Sequence, residues 1–199
     1  MALLSSPQTW GSGTQPPLLL LVREQIVPGG RVAYDRIESE IRRACQRWGC
    51  PNPYLALTSA AASGEVWWLT AWLSQAALDE VRALYAGNPA LTSRLAPLNA
   101  RKRALTDEPV TLLAKAVGEA AFPLAGARFV AMTQVLPPKR ADGALYDLPD
   151  GRRIALTPSQ KRPTRLQRGT VLLAIRPEWS LPPQALVEAD PEFWGQRPK

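Results

Sequence analysis

The stretch GEVWWLTAWLS, residues 64–74, contains three tryptophans and only one charged side chain. Aromatic and β-branched residues favour strands, and the glycine that precedes the run is a turn signal. In a strand, alternate side chains point to opposite faces. Trp68, Thr70 and Trp72 therefore share one face, and Trp67 lies on the other. Because both faces are apolar, we expect this strand to be covered on both sides rather than to face water.

The chain has 199 residues, enough for one large domain or two small ones with a substantial core. Its content of 46% hydrophobic and 21% charged residues is typical of soluble globular proteins. The longest apolar run, Leu18–Val22, is far shorter than the about 20 residues that span a bilayer. No basic segment precedes an apolar core as in a secretory signal. We therefore expect a cytoplasmic protein without membrane association.

Histidine is absent from the sequence, which removes the commonest general base and the commonest metal ligand. The usual Ser-His-Asp triad is excluded for the same reason. The only cysteines are Cys45 and Cys50, and no second pair completes a zinc site. In a reducing cytoplasm we expect both to be ordinary thiols. The sequence thus predicts neither a metal nor a cofactor.

Periodicity and turn signals divide the first two thirds of the chain into elements. Residues 1–16 are predicted to form a flexible N-terminal arm, and residues 104–126 a loop with a short helix around Leu112–Val117. The other predicted elements are the strand Pro17–Val27, the helix Tyr34–Trp48, the strand Tyr54–Ser59, the tryptophan strand Val66–Leu73, the helix Gln75–Ala86, a helix from Asn88 to Arg103 and the strand Arg128–Leu136.

The order of these elements is βαββαβ, which predicts an α+β fold with a ferredoxin-like unit over residues 17–136. Residues 137–199 are predicted to be a β-rich extension. It would consist of a hairpin around Pro149–Arg152, the strand Thr170–Arg176 and an irregular tail held by its aromatic residues.

Three segments, PLLLLVREQIVPGG, YDRIESEIRRACQRWG and EVWWLTAWLS, resemble the dimeric α/β-barrel superfamily, which includes antibiotic-biosynthesis-monooxygenase-like proteins. The resemblance covers residues 17–136. It implies a homodimer in which two sheets pack face to face and helices cover their other faces. A sheet paired within one chain is the alternative that would also cover the tryptophan strand on both faces. Members include cofactor-free oxygenases and haem-degrading enzymes, but the haem-ligating histidine of the latter has no counterpart here. The tail resembles an extension found in uncharacterised bacterial proteins.

We expect any ligand pocket to lie between the sheet and the helices Tyr34–Trp48 and Gln75–Ala86, because pockets favour aromatic-lined junctions between elements. The candidate ligand-binding residues are Asn52, Tyr54, Trp68, Trp72 and Tyr85. Packing is the competing role for each of them. The predicted function is binding of a small apolar or aromatic molecule. The alternative is a cofactor-independent monooxygenase-like enzyme, in which the substrate itself reduces oxygen.

The excess of positive charge lies mostly in residues 137–176, which carry nine basic and three acidic side chains. Such a segment could bind nucleic acid. Tyr146 is the only aromatic residue in it that could stack on a base, so a solvated loop or a surface for an acidic partner is favoured. The basic residues considered for this role are Lys139, Arg140, Arg152, Arg153, Lys161, Arg162, Arg165 and Arg168.

Overall fold

The structure, a computed structural model, describes residue 10 and residues 14–61, 64–135 and 143–195. Within these ranges, no helix is both long enough and apolar enough to cross a lipid bilayer. The strands are β1 (Leu18–Gln25), β2 (Leu55–Ser59), β3 (Glu65–Trp72), β4 (Val110–Ala116), β5 (Phe129–Val135), β6 (Ala144–Asp147), β7 (Arg153–Ser159) and β8 (Thr170–Ile175). The helices are α1 (Arg31–Trp48), α2 (Gln75–Ala86), α3 (Pro89–Arg103), α4 (Gln184–Ala189) and α5 (Pro191–Trp194).

The eight strands close into one antiparallel barrel, in the order β1-β3-β2-β8-β5-β7-β6-β4. Two contacts join the early strands to the late ones: β2 pairs with β8, and β4 pairs with β6. The two halves of this strand order correspond to each other. Each strand lies four places around the barrel from its counterpart, so β1 corresponds to β5, β3 to β7, β2 to β6 and β8 to β4. In the first half, α1 connects β1 to β2, whereas α2 and α3 connect β3 to β4.

The predicted α+β class, with a ferredoxin-like βαββαβ unit and a separate β-rich extension, is wrong. The strands assigned to the extension pair directly with β2, β4 and β5, and all eight strands form one closed sheet. The dimeric α/β-barrel is also wrong, because the barrel closes within one chain. The tryptophan strand, which needs cover on both faces, is covered within this one chain, so closing the barrel requires no second copy of the protein. Self-association and a cytoplasmic location stay predictions.

The segment 110–116 was expected to contain a short helix and is the strand β4. Its sequence, VTLLAKA, is a short apolar run of the kind in which periodicity does not distinguish helix from strand. Pairing with β1 decides the conformation, since Leu112 lies opposite Leu21 and Ala114 opposite Leu19. The strand expected at Arg128–Leu136 is β5, although Leu136 lies outside the described residues.

The main core fills the barrel with the inward-facing side chains of the strands. Leu21 on β1, Leu55 on β2 and Leu69 on β3 are all buried there. On the outer face of the sheet, α1 and α2 pack over the neighbouring residues in three smaller clusters. The apolar character of β3 is thus explained by the barrel interior on one side and by the helices on the other.

Local signals set the limits of the covering helices as the sequence indicates. The hydroxyl of Ser74 accepts a hydrogen bond from the Ala77 amide at the start of α2, and the Asn88 carboxamide accepts one from the Leu91 amide at the start of α3. Gly49 ends α1 with φ 70°, in the left-handed region that favours glycine.

Both ends of the chain contribute aromatic residues to the core. In the segment expected to be a flexible arm, Trp10 is buried, and its ring centroid lies 6.3 Å from that of Phe122. Residues 1–9 and 11–13 of that arm lie outside the described residues. In the tail, Trp179 packs on Tyr34 and Trp194 joins the main core, so its aromatic residues do anchor it. The tail also forms α4 and α5, which were not expected.

We predict that Leu69→Ala lowers the free energy of unfolding by about 2–5 kcal/mol, because the Leu69 side chain is fully buried inside the barrel. Leu166→Ala is the matched control, since Leu166 is 45% exposed on the loop before β8, and its effect is expected within about 0.5 kcal/mol. Urea denaturation followed by circular dichroism measures both. Equal losses in the two variants would contradict the position of Leu69 in the core.

Candidate binding site

A cavity of about 530 Å³ lies between the outer face of β2 and β3 and the three helices α1, α2 and α3. This is the junction at which the sequence predicts a pocket. Its floor is aromatic and its walls carry several polar groups. The polar side chains that line it include Glu38, Asn52, Tyr54, Thr70, Thr92, Asn99 and Lys102.

Four of the five predicted ligand-binding residues line this one cavity: Asn52, Tyr54, Trp68 and Tyr85. Trp72 does not, although it shares the outward face of β3 with Trp68. It is buried in a separate apolar cluster beneath α2. The structure therefore brings four candidates together and assigns the fifth to packing, while ligand binding by the four stays a prediction.

Tyr54 is held at the start of β2 by backbone hydrogen bonds in both directions with Leu181, of 2.9 and 3.0 Å. Its ring meets the Trp68 ring edge to face, with centroids 5.6 Å apart. Its hydroxyl is buried and has no hydrogen-bond partner among the described residues. Burial raises the pKa of Tyr54 above its ordinary value, so the phenol stays protonated and keeps a donor available at the cavity.

A buried group of charges forms one wall of the cavity. Lys102, at the end of α3, places its Nζ 2.9 Å from Glu24 Oε1 and 3.2 Å from Glu38 Oε1. Tyr34 Oη and Trp68 Nε1 both donate to Glu24 Oε2, over 2.5 and 3.0 Å. The contact between Lys102 and Glu38 is an ion pair rather than a well-aligned hydrogen bond. Glu24 thus accepts two side-chain hydrogen bonds beside its ion pair. Tyr34 also interacts with the Glu38 carboxyl, whose Oε1 has no hydrogen-bond partner among the described residues.

Burial raises the pKa of Glu38 from 4.5 to about 7. The positive charge of Lys102 lowers it in part, and the negative charge of Glu24 raises it again. For Lys102, burial lowers the pKa, but the two carboxylates outweigh this effect and raise it, so the amine stays charged. Two carboxyl groups therefore share one ammonium group, and Glu38 can gain or lose a proton near neutral pH.

The three charged residues of this group were not among the predicted site residues. A glutamate on an amphipathic helix is expected on the solvent-facing side, whereas only 1% of Glu38 is exposed. Its position does contain a signal, because Glu38 follows Tyr34 by four residues and precedes Ile41 by three, on the apolar face of the helix. Glu24 similarly shares the outward face of β1 with apolar residues, and its side chain is buried.

The two cysteines differ from expectation, because Cys45 and Cys50 form a disulfide. Cys45 belongs to the last turns of α1 and lines the cavity, and Cys50 follows the glycine that ends the helix. The interpretation of both as reduced thiols is therefore wrong for this structure. The bond ties the end of α1 to the segment that leads to Asn52.

Acidic residues pair with two of the described basic residues of the basic segment. Arg153 pairs with Asp147 over 2.7 Å, and Arg152 pairs with Asp150 in the adjacent turn. The remaining described basic residues, Lys161, Arg162, Arg165 and Arg168, are exposed on the loop before β8. Lys139 and Arg140 lie outside the described residues. Nucleic-acid binding by this segment stays the disfavoured alternative.

No protein-family model matches the chain, and no curated protein matches it in sequence. Among solved structures, it is similar to a putative monooxygenase from Lactobacillus acidophilus NCFM, with a TM-score of 0.46 and 8% identity over 89% of each chain. It is also similar to a putative monooxygenase from Fusobacterium nucleatum subsp. nucleatum, with a TM-score of 0.47 and 6% identity over 90% of this chain and 83% of the other. Similarity at this level does not establish a shared activity.

We predict that the free energy of unfolding falls as the pH rises from about 4.5 to about 7, by on the order of 3 kcal/mol relative to Glu38→Gln. Below pH 4.5 the Glu38 carboxyl is protonated in both states. Between pH 4.5 and about 7 the carboxyl ionises only in the unfolded chain, so ionisation stabilises the unfolded state relative to the folded one. Urea denaturation of both proteins across this range measures the difference, and a flat difference would contradict the raised pKa.

Proposed function

We propose that the protein binds a small aromatic molecule bearing a hydroxyl or carbonyl group in the cavity between the sheet and the helices. The volume of about 530 Å³ falls within the range of small-molecule sites. The observation that carries the proposal is the buried Tyr54 hydroxyl, which has no partner among the described residues and lies in the same cavity as Glu38. A buried donor of this kind gains free energy when a ligand supplies an acceptor.

The chemistry of the two groups defines the ligand class. Tyr54 offers a hydrogen bond to an oxygen atom, and Glu38 can accept a hydrogen bond or a proton from an adjacent hydroxyl. The aromatic rings of Trp68 and Tyr85 provide apolar surface for a planar body. A fused aromatic ring system with one hydroxyl group can accept a hydrogen bond from Tyr54, donate one to Glu38 and pack against the aromatic rings. The cation of Lys102 then stabilises negative charge that develops on the ligand or on Glu38.

We predict that 2-naphthol binds more tightly than 2-methoxynaphthalene, because only the former can donate to Glu38. Tyr54→Phe is expected to weaken 2-naphthol binding by about 3- to 10-fold, the worth of one hydrogen bond between neutral groups. Glu38→Gln is expected to abolish the pH dependence of binding near pH 7. Titration followed by naphthol fluorescence measures each dissociation constant.

Trp72→Phe is the matched control for this experiment, because Trp72 is buried outside the cavity. It is expected to leave the dissociation constant unchanged. Equal binding of the two naphthalenes, or equal losses in Tyr54→Phe and Trp72→Phe, would contradict binding at this cavity. The melting temperature of each variant separates loss of binding from loss of folding.

A second candidate is an enzyme in which Glu38 acts as a general base, and its raised pKa favours this possibility. A base whose pKa lies near the working pH combines an adequate ionised fraction with a useful affinity for the proton. Tyr54 would stabilise the enolate oxygen that forms when Glu38 removes a proton next to a carbonyl. A cofactor-independent monooxygenase would need such a step, since the resulting carbanion supplies the electrons that reduce oxygen.

We predict that the protein accelerates exchange of deuterium from solvent into the acidic methylene group of 2-tetralone, measured by proton NMR. The rate should rise with pH through about 7, as Glu38 ionises, and Glu38→Gln should remove the acceleration. An oxygen electrode then separates the two chemistries, because only an oxygenase consumes oxygen in step with the substrate. Exchange at the rate of buffer alone would leave binding as the function and contradict the enzyme.

A further inference from the structure

A second cavity, of about 210 Å³, lies inside the barrel, on the opposite face of β3 from the helix-covered cavity. Six strands contribute to its wall, and its apolar residues include Leu21, Trp67, Leu112, Met132, Ile154 and Val171. An eight-stranded barrel has an interior that side chains can fill or that can hold one small ligand. In this chain, the described residues leave one end of the barrel incompletely filled.

Trp67 points into the barrel, whereas the next residue, Trp68, points out towards the helices. Only 8% of Trp67 is exposed, and its indole Nε1 is buried without a hydrogen-bond partner among the described residues. A buried indole N–H usually finds an acceptor, and leaving it unpaired costs free energy. A molecule in this cavity could supply the missing acceptor.

Two arginines lie next to this donor, each paired with a carboxylate, and Glu65 also lines the cavity. Arg23 is directly opposite Trp67 in the pairing of β1 with β3, so both side chains leave the same face of the sheet as neighbours. Its side chain is 46% exposed, and Arg152 also lines the cavity. Glu65 lies 3.4 Å from Arg23, and Asp150 pairs with Arg152. A guanidinium group has five N–H donors, so each arginine can bind a second anion without releasing the first.

We propose that the cavity at the Arg23 and Arg152 end of the barrel is a second binding site, which takes a small monocarboxylate with an apolar body. The carboxylate would lie at the rim and accept hydrogen bonds from Trp67 Nε1 and Arg23. Its apolar chain would extend inwards past Leu21 towards Ile154. This orientation follows from the cost of burying charge, because the carboxylate stays near water and the arginines while only hydrocarbon enters the core.

The test uses octanoate, with 1-octanol as the probe that has the same chain and no charge. Octanoate is expected to bind at least about tenfold more tightly than 1-octanol, as charge-assisted hydrogen bonds require. Trp67→Phe keeps the ring but removes the N–H, and is expected to weaken octanoate binding by at least about tenfold. Val171→Phe, which fills the cavity without touching the rim donors, is expected to abolish it. Isothermal titration calorimetry measures all three.

The indole N–H resonances of protein with ¹⁵N-labelled tryptophan show directly which tryptophan octanoate contacts. Octanoate is expected to shift the resonance that is missing from the spectrum of Trp67→Phe and to leave that of Trp68 unchanged. If Val171→Phe does not fold, this spectrum still tests whether octanoate binds next to Trp67.

Trp68→Phe and Tyr54→Phe are the controls from the other face of the sheet, and neither is expected to alter octanoate binding. Failure of 2-naphthol to bind therefore leaves this proposal intact, and the reverse also holds. The proposal is overturned if octanoate does not bind, if 1-octanol binds equally well, or if the Trp68 resonance shifts in place of that of Trp67.

Discussion

Burial of both faces of β3 is the constraint on which the rest of the structure depends. An isolated sheet cannot cover two apolar faces, so the chain closes its strands into a barrel on one side and places three helices on the other. The same alternation assigns Trp67 to the barrel interior and Trp68 to the helix-covered cavity. A shift of β3 by one residue against its neighbours would exchange these two sets of side chains. The register with β1 and β2 therefore fixes the lining of both cavities.

The buried charges beneath the helices are arranged unequally. Glu24 accepts hydrogen bonds from Tyr34 and Trp68 and pairs with Lys102, whereas Glu38 pairs with Lys102 and interacts with the Tyr34 hydroxyl. Burial raises the pKa of Glu38, the charge of Lys102 lowers it in part, and the negative charge of Glu24 raises it again. Buried ion pairs of this kind contribute little to stability, because desolvation offsets their attraction. Their position beside a cavity is consistent with the proposed roles in ligand binding and proton transfer.

Local patterns in the sequence were sufficient for α1, α2, α3 and the hairpin of β2 and β3, because periodicity, caps and turns act over a few residues. These local patterns do not predict the closure of the barrel, because the pairing of Leu57 with Ile175 joins segments that are remote in sequence. The same limit applies to the site. The predicted junction of sheet and helices located four lining residues, but Glu38 meets Lys102 of α3 and the second carboxylate Glu24 of β1 only in the tertiary fold.

The pairing of β2 with β8 has a consequence for the order of events during synthesis. The edge of β2 that pairs with β8 has no partner until residues 170–175 have left the ribosome, more than 100 residues after β2 itself. Sheets closed by such distant segments fold slowly, because the entropic cost of a long loop comes before the contacts that offset it. During that interval the unpaired edge can recruit a strand from another chain. The interval between the synthesis of β2 and that of β8 is therefore the period in which this chain is most exposed to strand pairing with other chains.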